Sequence, residues 1–260
     1  MERIKTEALS ISYEDHLVVE GLDLTLTASK ITSIIGPNGC GKSTILKAIG
    51  RVLKSNKGVV YLDGSDISQL PTKELAKKMA ILPQTPTAPS GLTVAELIAY
   101  GRFPHQKGFG RLRTEDREII EWALKVTKLT NFSQREVDSL SGGQRQRVWI
   151  AMALAQQTEL ILLDEPTTYL DLAHQLEILE LLKELNQSQH CTIVMVLHDL
   201  NLAARFSDYM IGISQGKIIS QGTPIEVMTP EVLRAAFQIE ADIMIEPKTQ
   251  RPICLTYDLV

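Results

Sequence analysis

The sequence predicts an α/β fold: a mostly parallel sheet entered through antiparallel strands and interrupted by a helical lobe. Three observations carry this prediction. Apolar strands LILLDE (160–165) and TIVMVLH (192–198) flank the helical segment AHQLEILELLKELNQ, the pattern of parallel strands joined by a helical crossover. A glycine-rich turn, GPNGCGKST at 36–44, follows one apolar strand and opens a helix. From about Thr87 to Gln157 the texture is helical throughout, apart from one Gly-, Pro- and Lys-bearing loop, GRFPHQKGFGRLR.

The elements follow in order. LSISY and LDLTLTA alternate polar and apolar residues as antiparallel strands do, and KITSIIG reads as a buried strand ending at Gly36. STILKAIGRVL has helical apolar spacing, GVVYLDGSDI is a strand with a DG turn, and AILPQ is a short buried strand. VAELIAYG, TEDREIIEWALKVT and SGGQRQRVWIAMALAQ are the lobe's helices. From Gly216 the tail reads as a hairpin within GKIISQGTP, a helix PEVLRAAFQ and a terminal hairpin. The boundaries expected are 1–86 with 158–225 for the α/β core, 87–157 for the lobe and 226–260 for the tail.

Composition narrows the function classes. With 260 residues, 44% hydrophobic and 22% charged, the chain can bury one large core. Its 27 basic and 31 acidic residues give a net charge of −4, the wrong sign for a non-specific nucleic-acid binder, so no nucleic-acid partner is expected. Three isolated cysteines, Cys40, Cys191 and Cys254, fit neither a disulfide framework nor zinc spacing and suit a reducing compartment. The start MERIKTEALSISYEDH lacks the apolar core of a signal peptide, and no run approaches the ~20 apolar residues of a membrane span. Work at a membrane would need another protein as anchor.

GPNGCGKS matches G-x-x-x-x-G-K-[ST] between a strand and a helix. Gly36, Gly39 and Gly41 let backbone N–H groups turn inward on phosphate oxygens; Lys42 reaches the β- and γ-phosphates, and Ser43 ligates Mg²⁺. Cys40 is either a small residue facing away or a thiol activated at the helix N-terminus. LILLDE puts Asp164 and Glu165 at the C-terminal end of a buried strand, where ligands bind in such sheets. Asp164 is the candidate for holding Mg²⁺ through water, and Glu165 the candidate general base. His198 ends the next strand and is the candidate contact to the γ-phosphate. Residues 140–147, LSGGQRQR, form a second glycine-rich turn before a helix but carry no lysine at the equivalent place. Ser141, Gly142 and Gly143 there are either an anion site on helix N–H groups or a plain serine cap.

LSGGQRQR resembles the signature motif of the ATP-binding cassette (ABC) ATPases, and Tyr13, GPNGCGKST, Gln84, LSGGQ, LILLDEPTTYLD and His198 fall in that family's order across nearly the whole chain. The resemblance implies a P-loop NTPase (RecA-like) core with an antiparallel β subdomain and an inserted α-helical subdomain, using ATP and Mg²⁺. It implies that Tyr13 stacks on adenine and that Gly36, Pro37, Asn38, Gly39, Cys40, Gly41, Lys42, Ser43 and Thr44 wrap the phosphates. Gln84 would contact Mg²⁺ and water, with Lys42, Glu165 and His198 completing the catalytic set. Ser141, Gly142, Gly143 and Gln144, with Asp171, would meet the opposing subunit of a homodimer that shares two ATP molecules.

A single cassette with no fused membrane helices, no long coiled-coil insertion and no second cassette resembles the energising subunit of an importer. LTVAELIAYGRFPHQ and EPTTYLDLAHQLEILELL resemble the branch importing ferric siderophores, haem and cobalamin, most of all the ferric-siderophore importers. That implies a peripheral protein on the cytoplasmic face of the membrane, docked through Gln84 and residues 85–105 on an integral-membrane permease and served indirectly by a substrate-binding protein. A soluble ABC ATPase without transport is the competing class. A GTPase switch is excluded by the missing N-K-x-D motif, since Asn56-Lys57-Gly58-Val59 lacks the aspartate.

Overall fold

Strand β1 (Glu2–Tyr13) turns back as β2 (His16–Thr27), and β3 (Ile31–Ile35) then leads into helix α1 (Lys42–Ile49). The chain continues through β4 (Lys57–Leu62), β5 (Ser65–Asp66), α2 (Thr72–Lys78) and β6 (Met79–Leu82). Helices α3 (Val94–Ala99), α4 (Thr114–Val126) and α5 (Gly142–Ala155) follow, then β7 (Leu160–Asp164) and α6 (Leu172–Gln189). The last third holds β8 (Thr192–Val196), α7 (Leu200–Phe206), β9 (Tyr209–Ser214), β10 (Lys217–Gly222), α8 (Pro224–Val227), α9 (Pro230–Phe237), β11 (Ile239–Ile245) and β12 (Pro252–Leu259). This computed structural model describes residues 1–14, 16–106 and 112–260; part of the expected loop GRFPHQKGFGRLR, residues 107–111, lies outside the described residues.

Two compact units divide the chain, Met1–Leu70 with Asn186–Val260, and Pro71–Leu185. In the first, β2-β1-β4-β5 form an antiparallel sheet whose alternating burial sends Ile4, Leu9 and Ile11 into the core. Beside it, β3 pairs in parallel with both β8 and β9, and β10 adds on antiparallel to β9. Every residue of β3 and β8 is buried, as parallel strands covered on both faces require. In the second unit β6 and β7 pair in parallel with Leu82 opposite Leu163. Helix α5 packs there against α3 and α4, burying Val148, Trp149, Ile150 and Leu154.

The Asp63-Gly64 turn closes β4 on β5 with both residues at positive φ, 50° and 76°, the mirror-type turn that its sequence favours. The tail hairpin differs from expectation. Its turn is Gln215-Gly216, and its first arm is β9, while GKIISQGTP supplies only β10 and the start of α8. The reason is visible in ISQGKIISQGTP: the triplet SQG occurs twice, and only the first occurrence turns. Helix α1 is shorter than its apolar run, because Arg51 takes a left-handed conformation (φ 55°) just past Gly50. Helices α2 and α7 lack apolar periodicity long enough to be read from sequence.

Within the second unit Arg102, 5% exposed, donates from Nε to Asp116 (2.8 Å) and from Nη1 to the Ala155 carbonyl (2.6 Å). Burial pushes the Asp116 carboxyl up, but hydrogen bonds from Arg102 and the Arg113 N–H outweigh it and hold the group below the usual carboxylate range. A depressed folded pKa means the stabilisation is full above the unfolded value of about 4 and is lost as pH falls through the folded one. Arg102→Met, which leaves the buried carboxylate without its cation, should therefore destabilise the chain by about 3–5 kcal/mol at pH 7. In urea titrations the gap to wild type should narrow below about pH 4. A gap independent of pH would show that the pair contributes nothing through ionisation.

Candidate active site

In the first unit the register of β3 on β8, Ile34 opposite Val196, brings Gly36 and His198 to the same C-terminal strand edge. Gly36 is there because nothing larger fits: a Cβ would stand 2.1 Å from the Ile213 carbonyl oxygen and 2.8 Å from Cys40 Sγ. Gly41, at φ 105°, bends the chain into the first turn of α1. Lys42 is 5% exposed, and its ammonium donates to the Gly36 (2.9 Å) and Pro37 (2.8 Å) carbonyls. Both partners are neutral, and the positive end of α1 lies next to them, so the loop is electropositive twice over and suits a polyanion.

Tyr13 closes β1 and is 44% exposed, so it is not part of the core and is accessible for stacking. Cys40 is only 6% exposed, and burial pushes its thiol up against the opposing pull of the Lys42 charge. The activated-thiol alternative for Cys40 therefore fails on the direction of the shift.

In the second unit the β6–β7 register places Gln84 and the Asp164-Glu165 pair at one strand edge. Gln84 Nε2 donates to Glu165 Oε2 at 2.5 Å, and Thr168 Oγ1 donates to the same oxygen at 2.9 Å. Glu165 is 9% exposed and has a left-handed backbone, φ 53°. Thr168 was missed by sequence reading; its only signal was a hydroxyl one short turn after the carboxylate.

Ser141, Gly142 and Gly143 open α5, and the serine-cap alternative is realised: Ser141 Oγ accepts from the Gln144 N–H (3.3 Å) while Gln144 Oε1 accepts from the Ser141 N–H (3.1 Å). The cap does not use up the site. It points the Gly142 and Gly143 N–H groups outward along the helix axis, and a Cβ on Gly142 would meet nothing within 4 Å. Asp171 precedes α6 and accepts from the His174 N–H (2.9 Å) and from its Nδ1 (2.7 Å). These bonds, the backbone one first, hold the Asp171 carboxyl below its usual range.

The chain is similar to proteins of a known family. The sequence profile described as "ABC transporter" matches residues 19–168. The iron(3+)-hydroxamate import ATP-binding protein FhuC of Bacillus subtilis (strain 168) is 62% identical, with 100% of this chain and 97% of that protein covered. Among solved structures, a metal-chelate type ABC transporter in an inward-facing conformation superposes with TM-score 0.84 at 28% identity, covering 98% of this chain and 96% of the other. A dimeric ATP-binding cassette in a post-hydrolysis state, bound to ADP and Pi, superposes with TM-score 0.75 at 32% identity, covering 85% and 98%.

The geometry around Cys40 has a direct chemical consequence. Alkylation by iodoacetamide at pH 8 should be far slower at Cys40 than at a free thiol and should reach the free rate once the chain is unfolded; peptide mass mapping reads both. Fast labelling of native Cys40 would contradict its burial.

Proposed function

Because the chain belongs to the ATP-binding cassette (ABC) transporter family, we propose that it is the ATP-hydrolysing subunit of an importer whose cargo is a ferric siderophore, of hydroxamate type in the first instance. The observation that carries the cargo is the 62% identity to an iron(3+)-hydroxamate import ATP-binding protein over the whole chain. The observation that carries the mechanism is a chain with one lysine-bearing phosphate loop and one capped, lysine-free glycine turn.

Each residue then has one task. Tyr13 stacks on the adenine, and the N–H groups of residues 36–44 with the Lys42 ammonium hold the phosphates. Ser43, Gln84 and Asp164 offer hydroxyl, amide and carboxylate oxygens, a donor set that suits a hard divalent cation, so they fit Mg²⁺. Bound there, Mg²⁺ would supply charge neutralisation on the phosphate oxygens. Glu165, oriented by Gln84 and Thr168, accepts the proton of the attacking water; His198 contacts the γ-phosphate. The outward N–H groups of Gly142 and Gly143, with Ser141, Gln144 and Asp171, complete the site of a second copy of the chain. A closed pair with two-fold symmetry uses both surfaces of each copy once.

Among the described residues no helix is long and apolar enough to cross a membrane. The importer reading pairs the chain with a separate permease, on whose cytoplasmic side it sits. Stacked Tyr100 and Phe103, 4.8 Å apart and 36% and 56% exposed just after α3, supply an aromatic surface for it. The chelate would touch the permease and a binding protein rather than this chain.

Three measurements test these assignments. Glu165→Gln should keep nucleotide binding and lower turnover by at least about a hundredfold, accumulating an ATP-bound dimer in size-exclusion chromatography; wild-type turnover would remove Glu165 as the base. Ser141→Arg should abolish hydrolysis while the monomer still binds ATP; loss of that binding would place the turn in its own subunit's site. In proteoliposomes with the native permease, ATP should drive uptake of ferric hydroxamates. Uptake of haem or cobalamin alone would overturn the cargo assignment.

A further inference from the structure

The two glycines of the signature turn are not equivalent in this structure. Open space surrounds the Cβ position of Gly142, where a second copy's nucleotide would approach. At Gly143 that position is taken: a Cβ would stand 2.8 Å from Cδ2, 3.2 Å from Cγ and 3.4 Å from Nε2 of the His174 imidazole. The ring therefore covers the Cβ position of Gly143, the second residue of α5. Its Nδ1 is held in turn by Asp171 Oδ1 at 2.7 Å, and the same oxygen caps α6 through the His174 N–H. One turn further along both helices, Arg147 of α5 pairs with Glu177 of α6. Contacts at positions 143 and 147 on one helix thus face 174 and 177 on the other, a register that fixes the two N-terminal turns as one piece.

Resting on the reading above of residues 141–144 and Asp171 as the surface offered to a second copy, we propose that His174 is a positioning residue for ATP hydrolysis. Its imidazole bridges the Asp171 carboxylate and the Gly143 backbone, so that the phosphate-facing N–H groups and the aspartate reach the partner's nucleotide in fixed relation. Asp171 accepts, so Nδ1 carries the proton and the tautomer is set. The ring does not touch the nucleotide; it acts through Gly143. This also accounts for the second glycine of SGG, which is small because an imidazole occupies the place of its side chain.

The test is a double-mutant cycle in the full-length chain, read as kcat for ATP, as the affinity of the monomer for a fluorescent ATP analogue, and as melting temperature. His174→Ala should lower kcat by about tenfold to a hundredfold, the effect of an ångström-scale misplacement. Monomer affinity should stay within about twofold and the melting temperature within a few degrees, because the imidazole lies at a half-exposed surface. Gly143→Ala should be severe alone but add little in the His174→Ala background, where the methyl enters the space the ring has left. His174→Asn, which keeps a donor near the Nδ1 position, should recover part of the loss. Wild-type kcat in His174→Ala, or strictly additive losses in the cycle, would overturn the proposal. Absence of ATP hydrolysis in the wild-type chain would instead overturn the ATPase reading and leave the bridging geometry without a reaction to serve.

Discussion

A buried ammonium held on two peptide carbonyls is the constraint around which the first unit is arranged. Lys42 sits almost out of solvent on two peptide carbonyls, at the positive end of α1. Such a charge costs several kcal/mol to bury unless an anion compensates it. The surroundings hold this arrangement from several directions. Gly36 lets the loop pass against the Ile213 carbonyl, and the Gly216 N–H at the β9–β10 turn donates to the Cys40 carbonyl at 3.0 Å. Val18 and Val19 of β2 lie 3.3 Å from where a Gly41 side chain would begin. The loop's shape thus comes from packing already present in the chain.

The second glycine turn shows the opposite economy. It has no lysine, its serine and glutamine satisfy each other, its Arg145 guanidinium donates to the Leu140 carbonyl (3.1 Å), and what it offers is two outward N–H groups and the dipole of α5. A helix dipole contributes less than about 2 kcal/mol, too little to hold a polyphosphate alone. Placed against a phosphate that another loop already binds, the same groups have no desolvation of their own to overcome beyond closure. On the proposed reading, a weak, fixed donor set is what a surface that opens after each cycle requires.

Most of the strands, the three lobe helices and both glycine turns were legible because each rests on local pattern: alternation, a 3.6-residue period, or glycines at fixed spacing; β9 (Tyr209–Ser214) was not. What was not legible depends on distant partners. The two SQG triplets at 214–216 and 220–222 are the same in sequence, and only pairing with β9 decides which one turns. Cys40 looked chemically open in sequence until its burial settled the sign of its shift. Thr168 and His174 carry no motif that marks them, since one acts by a single hydroxyl contact and the other by lying on a glycine thirty-one residues earlier. Asp171 was recognisable by position, but its role as the cap of α6 appears only with the His174 N–H in place.

The segment after β7 combines these themes. Glu165 and Tyr169 are both non-glycine residues in the left-handed region, at φ 53° and 64°. Each such conformation costs about 1–3 kcal/mol and persists only where neighbours over-determine it. For Glu165 the neighbours are two side chains and a backbone bond: Gln84 and Thr168 converge on one carboxylate oxygen, and the Thr168 N–H donates to the Glu165 carbonyl at 3.3 Å. The carboxylate is thus fixed from the backbone side by an unusual φ and from the head by two donors, with little rotamer freedom between. If Glu165 is the base, as proposed, it needs no reorganisation when a water arrives, and the tight turn leaves Tyr169 92% exposed just before Asp171. Strain at Glu165 and presentation of the residues that follow it are therefore one structural feature: the turn that fixes the carboxylate also sends the next residues outward to where a second copy would meet them.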